Sequence, residues 1–312
     1  METGNRQITL TQDLFEPVKT STREAEELSG PPIGFWGDAW RRLKQNRIAV
    51  AAGCVIILIL VLAVVGPWLT PYTSIGQNLA QQYKTPSLSG FWFGTDEFGR
   101  SMFDRVWVGT RVSLYIAALV TAMDLFVGLI YGSISGYYGG RVDNVMQRIV
   151  EILNGIPILI VAILIMLIFD PGILSLTIAI GLTYWTSSAR LIRGQVLRLR
   201  EQEFFLASRS LGAGTFRLIA KHLIPNVFYI VIITLMFTVP SAVFFEAFLS
   251  FIGLGIQPPN ASLGALISDG ADQMRFYPYL LILPAIVLAL ITISFRLLGD
   301  GLRDALDPRM RK

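Results

Sequence analysis

The sequence predicts an all-α integral membrane protein that crosses the bilayer six times, with its N and C termini cytoplasmic. Three observations predict it. The 312 residues are 53% hydrophobic and only 15% charged, with a mean hydropathy of +0.57, outside the usual composition of soluble domains. The apolar residues gather into runs at 48–69, 112–134, 150–169, 173–191, 227–250 and 278–298, each near the ~20 helical residues that cross a hydrocarbon core. Lipid offers no partner to backbone polar groups, so each run is expected to be a helix. Lastly, with both ends inside, 21 of the 26 Lys and Arg fall in cytoplasmic segments, and only Lys84, Arg100, Arg105, Arg111 and Arg275 lie outside. That asymmetry orients membrane helices. The pI near 9.3 therefore reports topology and gives no argument for a nucleic-acid partner.

Residues 1–34 are polar, with Glu24, Glu26, Glu27 and a Pro31-Pro32 break, and are expected to form a mobile cytoplasmic tail. In residues 35–47, Trp36, Trp40 and Leu43 recur at helical spacing beside Arg41, Arg42 and Lys44, the pattern of an amphipathic helix lying against membrane lipid. The first span, 48–69, carries no charge over 22 residues and starts too far in for a cleavable signal peptide. Its Cys54 is the only cysteine, which excludes a disulfide framework and a cysteine metal cluster.

An extracytoplasmic loop, 70–111, follows. Its GTDEFGRS, Gly94 to Ser101, matches a phosphate-binding loop except for Arg100 in place of lysine. No apolar strand precedes it and Asp96 and Glu97 repel phosphate, so it reads as a structured turn. A five-helix core, 112–298, comes next. Gly128, Gly132 and Gly136 stand four residues apart in the second span, a face that admits close helix packing. Asp124 in the second span and Glu246 in the fifth are the acidic residues nearest mid-membrane, and such carboxylates face a bundle interior or a water-filled path. Both are candidates for a translocation path, with hydrogen-bonded packing as the plain alternative. An aspartyl dyad is not formed, because Asp300 lies at the inner end of the sixth span. His222 is the only histidine, which excludes a histidine-rich metal site. No nucleophile with a histidine partner can be assembled in the membrane either. Asn260-Ala261-Ser262 fits a glycosylation sequon, a pattern frequent by chance. No catalytic site and no metal site is expected.

The cytoplasmic loop 192–226 contains EFFLASRSLGAGTFRLIAKHLIPN. Phe204, Ala207, Ser208 and Leu211 form one helical stripe just after Glu203. Gly212 suits a helix C-terminus, and Thr215 is placed to N-cap a second helix whose stripe is Phe216, Ile219, Ala220 and Leu223. Pro225 is expected to end or kink that helix. Three readings compete: a pair of membrane-surface helices, a DNA-binding helix-turn-helix, and an element docked into a cytoplasmic partner. Two spans tether the loop at both ends, which argues against a groove reader.

Aligned on Gly212, the loop resembles the EAA loop of ABC-importer permeases. Leu206-Ala207-Ser208 stands at the first triplet and His222-Leu223-Ile224-Pro225 at the last, with the usual glutamate displaced to Glu203. The blocks FGTDEFGRSMFDRVWVGTRVSLYIA (93–117), GYYGGRVDNVMQRI (136–149), ARLIRGQVLRLREQEF (189–204), EAFLSFIGLGIQPP (246–259) and GDGLRDALDPRMRK (299–312) extend the resemblance. Together they resemble the C-type permease subunit of oligopeptide, dipeptide and nickel importers, most like an oligopeptide permease. The resemblance implies a type I (MetI-like) importer fold in a bacterial plasma membrane. It implies no cofactor bound by this chain, and ATP and Mg on two partner ATPase subunits. It further implies a homologous B-type permease, an extracytoplasmic peptide-binding protein and a peptide substrate, with residues 299–312 as the cytoplasmic tail. The rivals from other classes are a stand-alone secondary transporter or cation channel using Asp124 and Glu246, and a structural membrane scaffold. Dipeptides and nickel chelates are the alternative cargoes.

Overall fold

The computed structural model describes residues 34–306 except residue 89. The tail at residues 1–33 and the last six residues of the C-terminal tail lie outside the described residues. The described chain is helical: α1 Phe35–Gln45, α2 Arg47–Val65, α3 Met102–Tyr138, α4 Gly140–Gly155, α5 Ile158–Phe169, α6 Ile173–Leu199, α7 Glu203–Ser210, α8 Thr215–Phe251, α9 Leu263–Asp272 and α10 Tyr279–Leu306. Four helices are long and apolar enough to cross a membrane by themselves, namely α3, α8, α10, and α2 with the 3₁₀ turn that extends it to Trp68.

The run at 150–169 is not one straight helix. It divides into the end of α4 and the whole of α5, bent by 83° at Ile156-Pro157. Pro157 lacks the N–H that would continue α4 and disfavours helical geometry at Ile156, whose backbone is extended. Counting this bent pair gives up to five crossings, one fewer than the expected six. The shortfall lies in α6, whose membrane portion is diluted by Thr, Ser, Tyr and Trp. Thr183, Tyr184, Ser187 and Ser188 among them line a cleft. Between α2 and α3, helix α3 begins at Met102, so the loop expected over 70–111 is shorter by ten residues. Ser101 caps it, its Oγ accepting from the Asp104 N–H at 3.5 Å.

Helices α3 and α6 pack along most of their length, and the glycines explain how. A Cβ at Gly132 would stand 2.5 Å from the carbonyl oxygen of Ala189, and one at Gly136 would stand 2.8 Å from Val196 Cβ. The main core gathers Val106, Ile116, Val120, Leu176, Ile180, Val243 and Leu249. A second core, at the end of the bundle that carries the loop 192–226, holds Ile192, Val196, Phe205, Leu218, Leu223 and Val227.

GTDEFGRS is a turn organised by one carboxylate. Asp96 accepts from the N–H of Phe98 and of Arg100, each at 2.9 Å, and from Arg100 Nε at 2.6 Å, and it also pairs with Arg105 Nη1. Both guanidinium groups are buried.

Candidate functional site

Two places carry the chain's polar and exposed-apolar chemistry: the loop between α6 and α8, and a cleft in the membrane region.

In the loop, Phe205 points inward and is fully buried, while Phe204, Leu206 and Ala207 are exposed. Gly212 follows the short α7 with φ +80°, a left-handed conformation that glycine adopts without Cβ strain. No atom outside its immediate neighbours approaches the position of its absent Cβ. The chain therefore rises into open space here, with Leu211 89% and Phe216 85% exposed. Gly214, not Thr215, occupies the N-cap of α8 and gives no side-chain cap. The Thr215 Oγ1 instead accepts a hydrogen bond from Tyr137 Oη at 3.1 Å. Pro225 does not end the second loop helix, which runs unbroken into the fifth apolar run. Leu218–Leu223 widens into a π-helical turn directly ahead of Pro225. A wider turn gives room for a proline ring and for the missing N–H.

The loop is joined to the helix bundle by arginines. Arg200 donates to the carbonyls of Gly136 and Tyr137 at 3.2 and 2.8 Å, satisfying the C-terminal end of α3. One turn pair earlier, Arg193 makes a bidentate pair with Asp143 of α4, both bonds at 2.5 Å, and Ser135 of α3 donates to the same carboxylate. Three helices thus meet at one carboxylate beneath the loop.

The cleft, about 520 Å³ in volume, lies between α6 and α8 with Asn154 of α4 at one side. Thr183, Ser187, Ser188, Thr238 and Ser241 supply much of its wall. Asp124, 1% exposed, sits behind it. Thr238 Oγ1 donates to Asp124 Oδ2 at 2.7 Å, and among the described residues buried Asp124 Oδ1 has no partner in hydrogen-bond geometry. Glu246 is elsewhere. It lies eight residues beyond Thr238 on α8, roughly 12 Å along the axis. There it accepts from Ser113 Oγ at 2.6 Å and Ser250 Oγ at 2.8 Å. Ser113 also accepts from the Leu263 N–H at 3.3 Å, so the cluster ties α3, α8 and α9 together. The two carboxylates form no common site.

Residues 128–312 match the family described as "Binding-protein-dependent transport system inner membrane component", and residues 34–86 match the N-terminal transmembrane domain of oligopeptide transport permease C. The chain belongs to this family of transport permeases. A dipeptide transport system permease protein, DppC of Bacillus subtilis, is 44% identical over 93% of this chain and 91% of its own length. Oligopeptide transport system permease proteins OppC of B. subtilis and Escherichia coli are each 42% identical, covering 96% and 92% of this chain and 98% and 95% of theirs. In fold, a chain of the inward-facing MetNI methionine ABC transporter superposes with a TM-score of 0.50, at 19% identity, over 66% of this chain and 98% of that one. The permease is accordingly an all-helical, multi-pass protein of the bacterial plasma membrane and a component of an ABC transport system.

Sequence reasoning picked out Asp124 and the loop of this permease but missed the polar wall of the cleft and the arginine joints. Arg193 and Arg200 stand seven residues apart on one helix face, and Thr183, Ser187 and Ser188 share another. Both patterns lie in the sequence, without any mark of what they face.

Proposed function

We propose that this permease forms one half of the translocation path of an ATP-driven peptide importer, with oligopeptides as its principal cargo. In this reading it crosses the membrane six times, α6 included, with both termini cytoplasmic. The observation that carries the proposal is the uncovered apolar loop, with Leu211, Phe216 and Phe204 facing solvent on a rigid, arginine-braced base. Exposed aromatic and aliphatic anchors grouped around a short helix and the bend that follows it suit a groove on another protein. The occupant of that role is one of two cytoplasmic ATPase subunits, which bind ATP and Mg; this chain binds no cofactor and catalyses no reaction. Closure of the ATPases moves α7 and Gly212, and the Arg200 and Tyr137 contacts pass the movement to α3. The spans then rock between inward-open and outward-open states.

The path runs between this chain and a homologous B-type permease, fed by an extracytoplasmic peptide-binding protein. The peptide cargo rests on relatives named as oligopeptide and dipeptide permeases at 42–44% identity. A stand-alone carrier or channel leaves the exposed loop without a purpose, and Glu246 is already engaged by serines. The test is uptake of a labelled pentapeptide into proteoliposomes holding the complete complex. Uptake that requires ATP, the binding protein and this chain is the expected result. Equal uptake without ATPase subunits would reject the importer reading.

A further inference from the structure

The polar cleft and the carboxylate behind it have a chemistry of their own. None of the residues that line the cleft is a lysine or arginine. Two are aromatic, Tyr184 and Phe237, and most of the rest carry hydroxyl or amide groups. Asp124 touches this wall through Thr238, and Ser188 stands beside it. The carboxylate lies in the middle of α3, 1% exposed, and no ion pair with it is found among the described residues. Among the described residues its Oδ1 meets no group in hydrogen-bond geometry, with the Ser188 hydroxyl the nearest other polar neighbour of the carboxylate beside Thr238. A carboxylate left this way in a membrane helix is costly unless it faces water or a visiting cation. Hydroxyls, two aromatic faces and one unneutralised carboxylate are the groups that hold an ammonium ion.

We infer that Asp124 makes this cleft a transient subsite for ammonium groups of the cargo, such as a peptide's free N-terminus or a lysine side chain. The inference rests on the cleft belonging to the translocation path. Glu246 contributes nothing to it, because its oxygens are taken by Ser113 and Ser250. The subsite binds weakly by design of its parts. One charge reached through hydroxyls draws a cation in, and no second charge locks it there.

The experiment uses the complete importer in liposomes, with Cys54→Ser and Ser241→Cys. Modification of the introduced thiol is timed with a cationic methanethiosulfonate, the ethyltrimethylammonium reagent, and with the anionic ethylsulfonate. With Asp124 present the cation is expected to react faster relative to the anion. Asp124→Asn is expected to lower that ratio about tenfold, the size of effect a unit charge has in a partly desolvated site. Asp124→Glu, which keeps the charge, is expected to preserve most of the preference. With Asp124 present, free trialanine should slow modification and N-acetyl-trialanine should not, and Asp124→Asn should remove the protection by free trialanine. A ratio unchanged within twofold in Asp124→Asn overturns the inference, as does a thiol that neither reagent reaches. ATP-dependent pentapeptide uptake in the same liposomes, without the reagents, separates the two claims. With Asp124 intact, uptake together with a reagent ratio that Asp124→Asn leaves unchanged rejects the ammonium subsite alone, while absent uptake with Asp124 intact rejects the importer reading.

Discussion

Phe216→Asp is expected to abolish ATP-driven uptake while leaving the permease inserted and folded. Phe216 is 85% exposed and its neighbour across the bend, Leu211, 89% exposed, so neither contributes to the chain's own core. The core beneath them uses Phe205, Leu218 and Leu223 instead. Changes at such exposed positions usually leave stability within about 0.5 kcal/mol. At an interface the same residue counts differently. A central aromatic anchor is worth about 2–4 kcal/mol, and a buried unpaired carboxylate adds its own desolvation cost. The ATPase subunits should therefore bind at least about 30-fold more weakly, the equivalent of 2 kcal/mol. Co-purification with a tagged ATPase subunit and thermal unfolding in detergent check the two halves of the claim. Undiminished ATPase retention would remove Phe216 from the docking surface.

Asp96→Ala is expected to produce the largest loss of stability among substitutions in the segment between α2 and α3. This carboxylate holds two backbone N–H groups and two arginines, with Arg100 4% and Arg105 2% exposed. Removing one partner of a buried ion pair typically costs 3–5 kcal/mol, because the remaining charge stays buried. Asp269 lies 3.6 Å from Arg105 and relieves only part of that burden. Asp96→Asn keeps an acceptor for the backbone N–H groups but not the charge, and should fall between wild type and alanine. Thermal unfolding of the purified complex measures the series. A cost below about 1 kcal/mol for alanine would mean that the turn is held by its backbone contacts.

Much of the fold was legible because membrane helices are written in composition. The uncharged stretch that became α2 and the apolar runs of α3, α8 and α10 need no tertiary information to be recognised. The 150–169 run misled because hydropathy does not register direction: Ile156-Pro157 turns the chain by 83° without interrupting the apolar pattern. Helix α6 shows the reverse. Several of the residues that lower its hydropathy, Thr183, Tyr184, Ser187 and Ser188, line a cleft. In the loop, the stripe of Phe204, Ala207 and Leu211 was legible from spacing, yet spacing could not tell an inward face from an outward one. The structure buries Phe205 and leaves the stripe uncovered. Thr215 looked like a cap by residue type, but the Tyr137 hydroxyl claims its oxygen. Long-range partners such as Arg193 with Asp143, fifty residues apart, are set by helix packing, and no local pattern reveals them.

The proposed importer function requires the α7 loop to dock on an ATPase and to move with its nucleotide state. The most direct measurement is disulfide cross-linking from Ala207→Cys or Ser208→Cys to cysteines lining the ATPase groove, with Cys54→Ser as background. Ala207 is exposed and Ser208 half-buried on the same turn of α7. Cross-links are expected at one or both positions, with yields that change when ATP is added and hydrolysis is blocked. No ATP-sensitive cross-link at either position, in a complex that still imports peptide, would contradict it.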